Sequence, residues 1–360
     1  IYSAPPRVLG SWVTDRPAEL HAGQERGADL GSPGPDQGFG LTLAERFRRR
    51  FGLDQLRFAN SGTEATMYAL RTARGFTERK AIIKIEGGYH GGYDALQVSV
   101  KPDVAEAGPE GAPVPVTPFE VEAGTVHVVP YNDLPRLEQL FAEHGSEIAC
   151  VFMEPVLENI GIVVPDEGYL AGVRAMCDAN GALLVFDEVK TGLTAGYAGA
   201  SQRLGVTPDL VCLAKSIGGG LPLAAFGGRG EVMACVTDGR MPHFGTYNGN
   251  PLVMAAAVAI DEIATVEALD AAEKLNVDAL EAMNAIIDEY ELPAHTVGFG
   301  VKGAVTWAAT PVRNYRDYKR TDFGAAELSW LWGVNRGILT PPGLDEQWLV
   351  SLAHTRADMD

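Results

Sequence analysis

The sequence predicts an α/β fold with a mostly parallel sheet flanked by helices, and three observations carry that expectation. Short apolar runs alternate with helical spans from residue 41 onward. Several of those runs contain no polar residue, as strands buried on both faces do. Two of them end in a charged side chain beside a turn. Alternating strands and helices build βαβ units, because parallel strands need a long crossover between them.

Residues 1–40 are rich in proline and glycine, contain one helical stretch, and read as an irregular N-terminal segment. That segment is expected to belong with a small domain and to be incomplete, since the chain starts at Ile1 without an initiator methionine. Residues 41–265 form the expected large domain. Its elements in order are a helix at Leu43 to Phe47, a strand at Leu56 to Ala59, a helix from Thr63 to Arg74 and a strand from Lys80 to Ile85. A strand at Val126 to Val129 follows, then a helix from Leu134 to His144, a strand from Ile148 to Met153 and a helix from Gly168 to Asn180. Two further strands, Ala182 to Val189 and Asp209 to Ala214, complete the pattern. Residues 101–125 interrupt it with an acidic, proline- and glycine-rich stretch that reads as a long surface loop. An alanine-rich helix starts at Pro251, and helices continue to about Glu289. Residues 266–360 are the expected smaller α+β C-terminal domain, with a strand at Ala304 to Trp307, a helix from Ala325 to Asn335 and a strand from Trp348 to Leu352.

A chain of 360 residues exceeds one typical core, which favours a large domain plus a smaller one. The 46% hydrophobic and 21% charged content is that of a globular protein. A net charge of −18 argues against nucleic acid or an anionic membrane surface as partner, and small metabolites fit better. No run of eighteen apolar residues exists, and the start resembles no signal peptide. Cys150, Cys177, Cys212 and Cys235 are widely spaced and show no Cys-x-x-Cys, so reduced thiols and a cytoplasmic setting are expected. Neither metal-ligand spacing nor a G-x-S-x-G elbow appears.

The chemistry concentrates at strand ends. Asp187 closes the run Ala182-Leu-Leu-Val-Phe-Asp, and Lys215, twenty-eight residues on, follows Leu210-Val-Cys-Leu-Ala. Open α/β sheets bind ligands beyond the carboxyl ends of their strands. An acid and an amine in that crevice match pyridoxal 5'-phosphate, which needs a lysine for its Schiff base and a carboxylate on its pyridine nitrogen. A strand-end cap for Asp187 and a surface lysine at 215 are the bland alternatives. Asn60-Ser61-Gly62-Thr63-Glu64-Ala65 joins a strand to a helix, where free N–H groups favour phosphate, with an ordinary cap on Thr63 as the alternative. Gly87-Gly88-Tyr89-His90-Gly91-Gly92 holds Tyr89 where it could stack on a planar ring, and His90 as a polar neighbour. The two-residue period of a strand predicts that Val189 points the same way as Asp187. Phe244-Gly-Thr246-Tyr-Asn-Gly-Asn-Pro251 is a second phosphate-clamp candidate. Gly298-Phe-Gly-Val-Lys-Gly303 matches G-x-G-x-x-G, but a strand-like run follows it and nothing before it is long enough for a clear strand, so it reads as a turn.

On these residues the chain resembles the class III aminotransferases that depend on pyridoxal phosphate, also called the ω-aminotransferase family, of fold type I. Six ordered motifs carry the resemblance: Asn60-Ser-Gly-Thr-Glu-Ala, Gly88-Tyr-His-Gly, Glu154-Pro155, Asp187-Glu-Val-Lys-Thr-Gly, Leu213-Ala-Lys-Ser-Ile-Gly-Gly-Gly and Gly245-Thr-Tyr-Asn-Gly-Asn-Pro. The resemblance implies Lys215 as the Schiff-base lysine, Asp187 on the pyridinium nitrogen, and Val189 and Tyr89 on the two ring faces. It implies Ser61, Gly62 and Thr63 on the phosphate, with Thr246 reaching in from the neighbouring subunit of a homodimer, and it adds His90 and Glu154 to the cofactor site. Asn159 and Ser351-Leu-Ala-His-Thr look like the branch of glutamate-1-semialdehyde aminomutase and β-amino-acid aminotransferases. Leu193-Thr194 stands where the family usually has Phe-Arg, so the usual recognition of an α-carboxylate is in question, and Asn314-Tyr-Arg-Asp-Tyr-Lys is not an aminomutase pattern. The expected activity is amino transfer from a small amine or amino acid to an oxo acceptor by a ping-pong route, with a 2,1-aminomutase as the alternative.

Overall fold

The computed structural model describes residues 38–109, 111–117, 124–341 and 347–359. Its main sheet holds β1 (Gln55–Ala59), β2 (Ala81–Ile85), β3 (Val126–Val129), β4 (Ile148–Met153), β5 (Leu183–Asp187), β6 (Leu210–Leu213) and β7 (Ala224–Gly228). The order across the sheet is β1-β7-β6-β5-β4-β2-β3. Every neighbouring pair from β3 to β6 is parallel. Only β7 runs the other way, paired antiparallel with β6 on one side and β1 on the other.

The unbroken apolar character of β4 and β5 has a direct cause, because every residue in both strands is buried. Their side chains still alternate. Cys150, Phe152, Leu183 and Val185 pack with Ala65, Ala69, Val232 and Met233, which lie on helices Gly62–Thr77 and Gly230–Thr237. Val151, Met153, Leu184 and Phe186 pack on the other side with Leu137 and Phe141 of Leu134–His144 and with Leu170 and Val173 of Tyr169–Asn180. A third cluster joins helices Gly38–Phe51 and Pro251–Ile263 to Phe58, Val211 and Ala225 of the sheet. The three-layer arrangement buries both sheet faces, which a parallel sheet requires. Cys150, Cys177, Cys212 and Cys235 are all free and buried.

A second sheet, ordered β10-β9-β8, is antiparallel and built from β8 (His295–Phe299), β9 (Lys302–Thr306) and β10 (Trp348–Leu349). The G-x-G-x-x-G decoy is its hairpin: Gly300 and Val301 turn between β8 and β9. The turn is as expected, but the segment before it is a full strand that five residues were too few to signal. The stretch from 101, expected as loop, carries a helical turn at Val104–Ala107 with Ala107 buried. No helix among the described residues is long and apolar enough to cross a membrane.

Parallel strands place their carboxyl ends on one edge. The residues at or just past the ends of β1, β2, β4, β5 and β6 therefore meet there: Ser61, Tyr89 and His90, Glu154, Asp187 and Lys215.

Candidate active site

Asp187 is the last residue of β5 and is only 4% exposed. A carboxylate taken out of water is tolerated only with partners. Its Oδ1 accepts the Val189 N–H at 3.0 Å, and its Oδ2 lies 2.8 Å from His90 Nδ1. The strand stops at Asp187, so Val189 reaches the same cavity through the following turn and not through strand alternation as expected. Glu188 is directed elsewhere: its carboxylate accepts Thr191 Oγ1 at 3.0 Å, Ala200 N at 2.6 Å and Ser201 N at 3.0 Å.

His90 is buried, with its ring edge-on to Phe152 at 4.9 Å and its carbonyl accepting Thr66 Oγ1 at 2.6 Å. The helix that holds Thr66 begins at Gly62, and its cap is Ser61, whose Oγ accepts the Glu64 N–H at 3.2 Å. The alternative of an ordinary cap on Thr63 does not hold, because Ser61 sits at the capping position; Thr63 Oγ1 instead accepts the Gly92 N–H at 3.1 Å. Gly91 makes that approach possible, since its φ is +84° and a Cβ there would lie 2.7 Å from Thr63 Cα. At Gly62 a Cβ would stand 3.2 Å from Val189 Cγ1, so the helix start and the turn after β5 are in near contact.

A cavity of about 450 Å³ opens between these elements. Ser61, Gly62 and Thr63 line one part of it, Tyr89, His90 and Glu154 another, and Asp187, Val189 and Lys215 a third. Tyr89 is 42% exposed and its N–H donates to Glu154 Oε1 at 3.1 Å. Asn159 Nδ2 donates to the same oxygen at 2.9 Å and Glu158 N to Oε2 at 3.0 Å. Burial pushes the Glu154 carboxyl above its usual range and the Asp187 charge adds to the push, while His90 and the Glu158 and Asn159 N–H donors pull it partly back. Lys215 opens a short helical turn, Lys215–Gly218, directly after β6 with φ +54°. Of the five described non-glycine residues with positive φ, it alone lines the cavity. Such a conformation costs about 1–3 kcal/mol and concentrates where function requires it.

Thr246 is not brought together with the others. It lies on an exposed loop with Phe244 and Tyr247, outside the lining of this chain's cavity, and Tyr68 Oη donates to Phe244 O on the same loop at 2.8 Å. Thr194 is buried and also absent from the cavity lining, with its Oγ1 donating to Lys190 O at 2.5 Å.

Two groups near the site escaped sequence reasoning. Arg316, from the Asn314-Tyr-Arg-Asp segment, pairs with the buried Glu86 at 3.0 Å and so braces the turn that carries Tyr89. Lys84, inside β2, is fully buried, and its Nζ donates to the carbonyl of Gly88 and to that of Ile85. Burial drives its pKa down to about 7, while Glu154 and Asp187 pull it up. From about pH 7 to the ordinary 10.5 the unfolded chain holds a proton that folded Lys84 does not, so stability gains up to about 1.4 kcal/mol per pH unit in that window. Urea midpoints should therefore show Lys84→Met at its greatest advantage over the natural chain below pH 7, shrinking as pH rises toward 10.5; a gap that does not change with pH would contradict the assignment.

The donor set fits pyridoxal phosphate. A helix start with its N–H groups faces the cavity, a buried carboxylate and a lysine share it, and His90 Nε2 is buried without a partner among the described residues. No described group of three or more His, Cys, Asp or Glu could hold a metal ion.

The family model "Aminotransferase class-III" matches residues 36–319. A glutamate-1-semialdehyde 2,1-aminomutase of Anaeromyxobacter sp. (strain Fw109-5) is 38% identical over 99% of this chain and 82% of its own length. Among solved structures, an omega-transaminase from Sphaerobacter thermophilus superposes with a TM-score of 0.82 at 31% identity, over 95% of this chain and 80% of that one. A glutamate-1-semialdehyde aminomutase from Pseudomonas aeruginosa PAO1, in complex with PMP, superposes at 0.80 with 28% identity, over 98% of this chain and 79% of that one.

Proposed function

This chain belongs to the class-III aminotransferase family, whose fold is the type I transferase fold and whose cofactor is pyridoxal phosphate, and from that premise we propose that it moves an amino group from an amine or amino acid to an oxo acceptor. One observation carries the reading: Asp187 and Lys215 line one cavity with a helix N-terminus and two flanking side chains, Val189 and Tyr89. Bound there, the cofactor supplies an aldehyde that takes up an amino group and a ring that draws electrons from the carbon being deprotonated.

The chain's own residues do the rest. Asp187, fixed by His90 and the Val189 N–H, holds a proton on the ring nitrogen. Ser61, Gly62 and Thr63 bind the phosphate with the helix N–H groups. Val189 and Tyr89 would flank the ring, and the Glu154 carboxylate fixes the Tyr89 backbone. Lys215 Nζ would anchor the cofactor at rest and, once freed by the incoming amine, would take up and carry the proton lost by the amine-bearing carbon of the substrate. The exposed loop with Phe244 and Tyr247 supports a homodimer in which Thr246 enters the neighbouring cavity, and the acidic chain suits a small-molecule donor and acceptor.

A second reading, a 2,1-aminomutase that shifts the amino group within one substrate, is favoured by the 38% identity to proteins so named. The two part on the need for an acceptor. Turnover of an amino donor by purified holoprotein should require an added oxo acid and stop after one equivalent without it; undiminished isomerisation of glutamate-1-semialdehyde with no acceptor present would favour the aminomutase instead.

A further inference from the structure

Lys84 is the one polar residue inside β2, and every position of that strand is buried. Its neighbours in register are the apolar Val128 of β3 and Phe152 of β4. A lysine stays in such a place only where something takes its N–H groups and answers its charge. The Ile85 and Gly88 carbonyls take the N–H groups, and no ion pair forms at its Nζ among the described residues. The charge is answered at longer range by Glu154 and Asp187, whose pull on the amine opposes the effect of burial.

Sheet geometry explains why those two acids do it. Ile82, Phe152 and Val185 pack in the cluster shared with helix Gly62–Thr77, on one face of the sheet. Lys84 and Asp187, two residues further along their strands, point the same way, and Glu154 follows just past β4. His90, against Asp187 Oδ2, joins them, and none of the four is more than 4% exposed. Other titratable groups around that face are committed: burial holds Cys150 and Cys212 as thiols, the Tyr68 hydroxyl donates to Phe244 O, and Glu86 pairs with Arg316. Tyr93 packs on the same cluster. Under the cofactor reading, the ring nitrogen brings one more positive charge to Asp187, and a like charge there weakens the hold of Lys84 on its proton. The neutral amine keeps two N–H donors, enough for both carbonyls, so the turn before Tyr89 stays fastened in either state.

We propose that Lys84 is a stand-in cation for the cofactor: it balances Asp187 and Glu154 before the ring is bound, and it releases its proton to solvent when the protonated ring nitrogen takes over that part. One proton leaves the Lys84 ammonium, the ring nitrogen keeps its own against Asp187, and the net charge of the cluster is unchanged. The proposal rests on Asp187 meeting the ring nitrogen, and its test needs no turnover. Pyridoxamine phosphate, which has no aldehyde to react with Lys215, is titrated into cofactor-free protein by calorimetry in two buffers of different ionisation enthalpy, which counts the protons released. At pH 7 the natural protein should release about half a proton more than Lys84→Met or Lys84→Gln, since the amine titrates at about 7. That excess should vanish by about pH 9, where the amine is already neutral. A purely structural role would change affinity and leave the proton count of both variants at the natural value. Equal release from all three proteins would therefore place the exchanged proton elsewhere, on His90 first, and overturn the assignment. Failure of the natural protein to bind pyridoxamine phosphate would instead refute the cofactor reading, and this role with it.

Discussion

Lys215→Ala should lose amino transfer by about 10³-fold or more while remaining folded. The loss follows from two duties of one amine, anchoring the cofactor and moving the substrate proton. Steady-state rates, together with the visible band of the bound cofactor, check both at once. Folding should survive because Lys215 sits at φ +54°, a conformation that no side chain favours and that stabilises nothing. Glycine adopts positive φ without strain, so Lys215→Gly without cofactor should melt above the alanine variant by a difference worth about 0.5–1 kcal/mol, although both are inactive. A Lys215→Ala protein that turned over amines at a natural rate would remove the basis of the proposed function.

Asp187→Asn should cost on the order of 10²- to 10³-fold in kcat, because a neutral amide cannot hold the proton on the ring nitrogen through the reaction. The substitution is nearly isosteric, and an amide oxygen can still accept the Val189 N–H that Asp187 accepts at 3.0 Å. Packing in β5 should therefore persist. The charge lost is also one of the two that raise the Lys84 pKa, so Lys84 should titrate lower still in this variant. Rates measured with saturating cofactor separate the electronic defect from weaker cofactor binding; a fully active Asp187→Asn would show that the carboxylate has only a structural role.

The parts of this site that were legible in the sequence share a physical reason. A strand buried on both faces is apolar throughout, so a charge at its end stands out, and Asp187 and Lys215 do. Ser61 to Thr63 were legible because a glycine between a strand and a helix marks a helix start. Val189 lines the same cavity as Asp187, but a turn and an N–H bond to Asp187 bring it round in place of strand alternation. β7 was invisible: Ala224-Ala-Phe-Gly-Gly has no β-branched residue, and its glycines fit because the neighbouring backbones leave no room for a side chain. Lys84 looked like any strand lysine, because a sequence does not show whether the amine can reach water. Glu158 with Lys302, and Glu86 with Arg316, are pairs 144 and 230 residues apart, joined only once the second sheet and the 314–319 segment fold against the main one. Local pattern carries no trace of such pairs.

Lys190 and Lys215 line the cavity, and Lys84 is buried within electrostatic reach of Asp187 and Glu154, so the identity of the anchoring amine is decisive. Lys84 is buried against two backbone carbonyls, Lys190 lies in the turn after β5, and Lys215 stands between β6 and a glycine turn. Borohydride reduction of the holoprotein followed by peptide mass mapping fixes the cofactor to whichever lysine holds it. The account predicts a single pyridoxyl mass on the peptide containing Lys215; the label on Lys84 or Lys190, or on no lysine at all, would contradict it.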